Sequence, residues 1–101
     1  MHLLFDLYSF VAYFVGMMHY KIIKMDNEPD QRFLQKTMCG IEWTSKGYAH
    51  KFLDLGEAVK EQRKHEYSYI IWVGVPSYSC DGKETWGEVN RDYIERTYQN
   101  V

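Results

Sequence analysis

Residues 67–75, with the sequence YSYIIWVGV, decide the fold predicted for this chain. The run is rich in β-branched and aromatic residues, contains no charged residue and is followed directly by Pro76. A short apolar run bounded by a turn-forming residue is typical of a strand that is buried within a sheet. The segments on either side of this strand predict the rest of the architecture.

The segment before the strand, residues 54–66, predicts a helix on the outside of the domain. Asp54 and Glu57 have the spacing of a capping box, in which side chains satisfy the free amides at a helix start. Basic residues gather toward the end of the segment, where they suit the negative end of the helix dipole. Few residues of the segment are apolar, so most of its surface would face solvent.

The segment after the strand, residues 85–98, predicts a C-terminal helix. Thr85 and Glu88 again have the spacing of a capping box. The apolar residues of this segment recur at helical spacing and form one broad side. They are Trp86, Val89, Tyr93, Ile94 and Tyr98.

The first half of the chain predicts further strands. Residues 19–25 are rich in β-branched residues and precede a cluster of turn formers, whereas residues 29–39 fit either a short helix or an extended strand. Residues 41–52 predict a hairpin in which Gly47 supplies the positive φ of a three-residue turn. Hairpin, helix and strand following one another predict an α+β fold with a mostly antiparallel sheet of about three or four strands.

The predicted hairpin also carries the best candidate binding site in the sequence. Aromatic and basic side chains are interleaved along it, namely Trp43, Lys46, Tyr48, His50 and Lys51. Because rings stack on bases and cations contact phosphates, this pattern suits a nucleotide or a single-stranded nucleic acid. The same alternation also arises whenever one face of a hairpin covers a core and the other face meets water.

Residues 1–18, MHLLFDLYSFVAYFVGMM, predict an apolar helix. On a helical projection the polar and small residues share one narrow stripe, formed by His2, Asp6, Ser9, Tyr13 and Gly16. The remaining surface is wider than one packing contact can bury, so the helix is either central to the domain or also contacts a second chain or a membrane surface. We predict self-association through its apolar side, at Leu4, Leu7, Val11 and Phe14.

Neither a signal peptide nor a membrane span is predicted for this segment. A signal peptide needs a basic start, and no Lys or Arg precedes Leu3. A helix from Leu3 to Met18 would be about 24 Å long, which is short of the roughly 30 Å of a hydrocarbon core. Asp6 would also lie in lipid, and the polar stripe lacks the Lys and Arg of an interfacial membrane helix.

The sequence contains no motif that identifies a reaction. Glycine-rich phosphate loops and GxSxG are absent, and the His and Cys residues lack zinc-ligand spacing, so no metal or cofactor is expected. Cys39 and Cys80 predict free thiols in a reducing cytoplasm. A nucleophilic Cys80 in a polar loop is the hypothesis that an enzyme would require.

Charge and composition favour an interaction protein. The net charge of the chain is −2 with both signs interspersed, which provides no basic footprint for nucleic acid. The aromatic share of 17% indicates half-buried positions at core edges or interfaces. We predict that residues 1–101 form one domain that is not an enzyme. It would act as a small regulator or inhibitor, a class that includes viral host-directed proteins, by binding another macromolecule and self-associating. The alternative is a nucleotide or single-stranded nucleic-acid module that uses residues 41–52.

Overall fold

A computed structural model describes residues 14–76 and 82–99, which form a five-stranded antiparallel sheet and two α-helices. The strands are β1 (Phe14–Lys24), β2 (Phe33–Thr37), β3 (Gly40–Thr44), β4 (Ser68–Pro76) and β5 (Thr85–Glu88). The helices are α1 (Leu55–Gln62) and α2 (Arg91–Thr97), and two short 3-10 turns span Pro29–Gln31 and Lys46–Tyr48. The predicted α+β class is confirmed, with more strands than the sequence indicated.

The sheet is built around β1 and β4. Its strand order is β3-β2-β1-β4-β5, and every neighbouring pair is antiparallel. The β1–β4 register runs from Lys24 opposite Ser68 to Phe14 opposite Pro76, with one irregularity in between. The apolar run at residues 67–75 therefore forms the strand that the sequence predicted, with a partner on each side.

The strands β1 and β2 separate along most of their length, and a later segment fills the space. The two strands share one register pair, Ile23 opposite Phe33. Beyond it, the His50 amide donates to the Leu34 carbonyl at 2.8 Å. Phe52 exchanges backbone hydrogen bonds with Tyr20, at 2.8 and 2.9 Å. Residues 50–52 are thus wedged between the two strands.

The predicted hairpin at residues 41–52 is wrong. The strand β3 pairs with β2, which precedes it, and the turn between them leads into Gly40 at a φ of 128°. Gly47 does not have a positive φ and lies in a 3-10 turn. Each glycine precedes a run in which apolar residues are interspersed with charged or polar ones, so the local sequence does not distinguish which of them makes the reversal.

The sheet has two different faces. The helix-covered face carries the larger core, in which residues of α1 and α2 pack against the strands: Ile22, Leu34, Phe52, Ala58, Val59, Ile70, Val89 and Ile94. The opposite face carries a second cluster, Ile23, Ile71 and Val73, against which Phe33 and Tyr69 pack. No helix of residues 14–76 and 82–99 contributes to this second cluster, and we call its side of the sheet the helix-free face.

The helix predicted at residues 54–66 is confirmed at its start and ends earlier than expected. The Asp54 side chain accepts a hydrogen bond from the Gly56 amide at 3.4 Å and caps α1. The helix ends at Gln62, and the chain then turns through Tyr67, which has a φ of 58°. The Ser68 hydroxyl donates to the carbonyls of Gln62 and His65, which stabilises this turn and stops the helix.

The C-terminal helix is shorter than the predicted range of residues 85–98. Thr85–Glu88 form the edge strand β5, and Asn90 is the residue that caps α2, accepting from the Tyr93 amide at 3.1 Å. The capping box predicted at Thr85 and Glu88 is wrong because these residues pair with β4.

The predicted N-terminal helix over residues 1–18 is not borne out. Residues 14–18 belong to β1, so Phe14 begins a strand opposite Pro76 and does not lie on a helix. A continuous apolar run is compatible with a buried strand as well as with a helix, and β4 provides the partner that decides between them. Leu4, Leu7 and Val11, which were predicted to self-associate, lie outside the described residues.

Candidate functional site

A groove on the helix-free face is the best candidate for a functional site. Its volume is about 220 Å³. The residues that line it come from four strands and two loops: Ile23, Pro29, Arg32, Phe33, Lys46, Tyr69, Ile71 and Trp86. The groove therefore combines an apolar floor, three aromatic rings and two cations.

The sheet register brings the floor and the aromatic walls together. Ile23 lies opposite both Phe33 and Tyr69, on either side of β1, so these three side chains share one face. Ile71 follows two residues after Tyr69 and lies on the same face because side chains alternate along a strand. Ile23 and Ile71 are buried, whereas Phe33 and Tyr69 are half-buried and keep part of their rings accessible.

Trp86 provides the most exposed ring of the groove. It lies on β5 opposite Val73 of β4, and 56% of its surface is exposed. The next residue, Gly87, lies against the Trp72 indole on the helix-covered face, where a Cβ atom would be 2.8 Å from the ring. Because Gly87 allows this close approach, β5 is held against β4 and Trp86 is positioned over the groove.

Two loops hold the cations at the rim. Arg32 donates from its Nε atom to the Asn27 carbonyl at 2.8 Å, which fixes the loop between β1 and β2. The Lys46 carbonyl lies 3.5 Å from the Lys21 ammonium, which anchors the 3-10 turn over the sheet. Within residues 14–76 and 82–99, neither Arg32 nor Lys46 forms an ion pair with a carboxylate. The groove therefore has two positive charges without acidic partners in this part of the chain.

Two further basic groups lie beneath the same face. His19 and Lys21 are 5% and 6% exposed, and they lie opposite Val73 and Ile71 in β4. Burial lowers the pKa of Lys21; Glu84 raises it, while Lys46 and Lys51 lower it further. Two buried basic side chains therefore lie on this side of the sheet, with Glu84 as a nearby acidic group.

His19 is the buried polar group with the least support. Its Nε2 atom is buried and has no hydrogen-bond partner among the described residues. Burial lowers the pKa of His19, and the nearby Lys21 and Lys51 lower it further, against the opposing effect of Glu84. The imidazole is therefore held in its neutral form more strongly than in the unfolded chain.

The structure separates the five residues that the sequence assigned to one binding site. Trp43 lies against the helix-covered core, where its ring centroid is 5.3 Å from that of His65 and 5.2 Å from the Lys24 ammonium. His50 packs edge-on against Phe52 at 4.6 Å between centroids. Their aromatic rings are thus used for packing.

The other three predicted residues have different surroundings. Lys46 lines the groove on the helix-free face. Lys51 is exposed and lies near enough to Lys21 and His19 to lower the pKa of both. Tyr48 is 68% exposed within the 3-10 turn. The cationic part of the prediction therefore lies on the helix-free side of the sheet, whereas Trp43 and His50 do not.

Arg32, Phe33 and Tyr69 were not predicted as site residues, and Trp86 was predicted to lie on a helix. The sequence contains one signal for the face on which Tyr69 lies. Within residues 67–75, Tyr69, Ile71 and Val73 alternate with Ile70 and Trp72. This period of two assigns the residues to opposite faces once the run is identified as a strand. Which other strands contribute rings to the same face depends on the strand order, which the local pattern does not contain.

A second cluster of chemistry-bearing residues surrounds Glu61 at the end of α1. The Glu61 carboxylate lies 2.9 Å from His65 Nε2, 3.7 Å from the Lys36 ammonium and 3.9 Å from the Lys64 ammonium. Burial raises the pKa of Glu61, but the hydrogen bond from His65 and the charges of Lys64 and Lys36 outweigh it and keep the pKa below its ordinary value.

The Glu61 cluster is not arranged as a catalytic triad. The Ser68 hydroxyl donates to the backbone carbonyl of His65 at 2.6 Å and does not use the imidazole as a base. Gln62 donates to both the carbonyl and the hydroxyl of Ser68. These hydrogen bonds tie the end of α1 to the start of β4, so the cluster stabilises the turn between them.

Other candidate sites have little support in the described residues. Residues 14–76 and 82–99 contain no group of three His, Cys, Asp or Glu residues that could hold a metal ion. Cys39 is an exposed free thiol, and Cys80 lies outside the described residues. Among the helices that the structure describes, none has the length and apolar character needed to cross a membrane.

Comparisons with known proteins provide no relative from which a function could be transferred. No family model matches the chain, and it matches neither a curated protein nor a solved structure.

Proposed function

We propose that this protein is a non-catalytic interaction protein that binds another macromolecule through the helix-free face of its sheet. The observation that carries this proposal is the groove itself, which exposed Trp86 lines together with Arg32 and Lys46. Exposed Trp and Arg residues are enriched at the centres of binding interfaces, where a few aromatic and cationic side chains provide most of the affinity.

The size of the groove supports a macromolecule over a metabolite. Small-molecule sites usually enclose about 300–1,000 Å³, and this groove of about 220 Å³ is smaller. A groove of this size suits one side chain or one base of a larger partner whose remaining contacts lie outside it. The rest of the helix-free face would then provide those contacts.

The protein would act as a regulator or inhibitor, the class suggested by its composition, and viral proteins of this kind fit the same description. The exposed thiol of Cys39 favours a reducing compartment such as the cytoplasm. A second copy of the chain is one macromolecule that could bind, and sedimentation of the purified protein at micromolar concentration tests that form of the proposal.

The proposal is tested by affinity capture from the native cell followed by mass spectrometry. Wild type and Met38→Ala should recover the same partner, because Met38 is fully exposed at the β2–β3 turn, away from the groove. Trp86→Ala should lose it, since truncation of a central aromatic residue costs about 2 kcal/mol or more, a factor of about 30 in affinity. Equal recovery with Trp86→Ala would show that binding does not use this face.

A further inference from the structure

From the chemistry of the groove we infer that the partner is a single-stranded nucleic acid, with one base stacked on Trp86 and the adjoining phosphates on Arg32 and Lys46. This inference rests on the proposed function and specifies its partner. It moves the nucleic-acid hypothesis from the predicted hairpin to the helix-free face, where the structure places aromatic rings and cations in one groove.

Two rings of the groove lie level with each other across the sheet, and the third lies further along it. Phe33 lies on β2, Tyr69 on β4 and Trp86 on β5, all on the helix-free face. Phe33 and Tyr69 flank Ile23, whereas Trp86 lies opposite Val73, which is four residues or about 13 Å further along β4 than Tyr69. Single strands bind to such platforms because every base has a face that stacks on an aromatic ring. A duplex keeps its bases stacked on one another, so it does not offer a free base to this groove.

The charges of the rim complement a phosphate backbone. Arg32 and Lys46 lie at the groove without carboxylate partners among residues 14–76 and 82–99, and Lys51 and the buried Lys21 add positive charge nearby. Glu84 is the acidic group that acts on both His19 and Lys21, and Glu88 is engaged by Arg91 at 3.0 Å. The rim therefore offers two cations without carboxylate partners, while exposed Glu28 and Asp30 flank Pro29 in the same loop as Arg32.

A peptide suits this face less well than a nucleic acid. The backbone amides and carbonyls of β1 and β4 are used in the sheet ladder, so the face offers side chains only. An extended peptide lying across it would leave its own amides and carbonyls without backbone partners, which costs free energy where water is excluded. A nucleic acid keeps its phosphates in contact with water and cations while its bases stack.

The inference is tested by fluorescence anisotropy of a labelled single-stranded oligonucleotide, the matching duplex and an acidic peptide that contains one Trp. We expect the single strand to bind more tightly than the duplex. Trp86→Ala should weaken binding by about 5- to 150-fold, the range of base–aromatic stacking, whereas Trp86→Phe should retain most of the affinity. Because Trp86 is largely exposed, both variants should fold, and circular dichroism checks this.

The salt dependence tests the two cationic contacts separately. Two phosphate contacts on a single strand predict a slope of log affinity against log salt of about −1.4, at about −0.7 per contact. Lys46→Gln and Arg32→Gln should each reduce the slope by about half. Lys60→Gln removes an exposed cation from α1 and is the matched control, which should leave both slope and affinity unchanged.

The outcomes distinguish this inference from the proposed function. Failure of the single strand to bind at about millimolar protein, or binding that Trp86→Ala leaves unchanged, overturns the inference. If the acidic peptide binds instead and requires Trp86, the partner is a protein and the proposed function stands without the nucleic acid. If cellular capture is also independent of Trp86, both the inference and the proposed function are wrong.

Discussion

The two faces of the sheet bury similar residues by different means. On the helix-covered face, Ile22 and Ile70 lie between the strands and both helices. On the helix-free face, the adjacent Ile23 and Ile71 pack with Val73 and with aromatic rings that remain partly accessible. One alternating strand sequence thus provides a helix-covered core on one side and a smaller cluster with accessible rings on the other.

Polar groups show the same difference. Glu61, at the edge of the helix-covered side, is buried and has three basic partners within 4 Å, namely Lys36, Lys64 and His65. His19, on the helix-free face, is equally buried and its Nε2 atom has no partner among the described residues. Native proteins usually provide hydrogen-bond partners for buried polar groups. The helix-free face is therefore less optimised for stability than the helix-covered face.

The largest expected effect compares Ile70→Ala with Ile71→Ala. Ile70 and Ile71 are 2% and 1% exposed, and they are adjacent residues of β4 whose side chains lie on opposite faces of the sheet. We expect Ile70→Ala to lower the free energy of unfolding by about 4 kcal/mol and Ile71→Ala by about 2 kcal/mol, because the helices prevent the first cavity from closing. Urea denaturation measures both values. A loss for Ile71→Ala as large as that for Ile70→Ala would contradict the distinction between the faces.

Gly87→Ala tests how the exposed edge of the groove is attached. An added Cβ atom would lie 2.8 Å from the Trp72 ring, so β5 or the indole must move, and we expect a loss of about 1–3 kcal/mol in unfolding free energy. Gly47→Ala is the control, because nothing lies within 4 Å of its added Cβ atom and its φ is not positive. That control should leave stability unchanged or raise it slightly. Thermal denaturation followed by circular dichroism compares the two, and equal midpoints would show that the Trp72 contact does not hold β5.

Glu61→Gln tests the charged cluster of the helix-covered side. It removes the charge that Lys36, Lys64 and His65 share, and we expect a loss of about 1–2 kcal/mol near neutral pH. Since the pKa of Glu61 is lowered on folding, its contribution is present above the ordinary value of 4.5 and is lost as the pH falls through the lower folded value. Glu57→Gln, an exposed substitution on the same helix, should have little effect. Urea titrations of both variants that give the same midpoint would show that the cluster adds no stability.

The smallest expected effect is the pH dependence due to His19. Its folded pKa lies below the ordinary value of 6.5, so the unfolded chain binds the proton first and stability falls as the pH decreases below that value. We expect wild type to be less stable at about pH 5.5 than at about pH 7.5, and His19→Leu to show a smaller difference. The pKa of His50 is also lowered by burial and by Lys36, and His50 contributes equally to the pH dependence of stability in wild type and in His19→Leu. An unchanged difference in His19→Leu would mean that the imidazole titrates as freely when folded as when unfolded.

Local signals in the sequence predicted the parts of the fold that local interactions determine. The cap at Asp54 and the apolar strand at residues 67–75 depend on neighbouring residues, and both predictions are confirmed. Residues 14–18 were misassigned because a fully apolar run fits a helix and a buried strand equally well. The capping-box spacing at Thr85 and Glu88 occurred within a strand, where pairing with β4 overrides it.

The candidate site was not predictable in the same way. Arg32 and Trp86 lie more than fifty positions apart in the sequence. They line the same groove because the strand order places residues of β2, β4 and β5 in one sheet, with side chains on the same face. The interleaved aromatic and basic residues at 41–52 formed a stronger local pattern, yet Trp43 and His50 pack against the helix-covered side. A local sequence pattern identifies the types of residue present. Which of them share a surface depends on the strand order and register of the sheet.

The wedge at residues 50–52 has a consequence for how the two parts of the sheet are joined. Because β1 and β2 share a single register pair, the β2–β3 hairpin is attached to the central strands mainly through His50 and Phe52. The hairpin is thus joined to the sheet in part by a segment that follows it in the sequence. Phe52 therefore serves both as a core side chain and as a backbone partner of β1, so we expect an insertion within residues 50–52 to disturb the core and the sheet together.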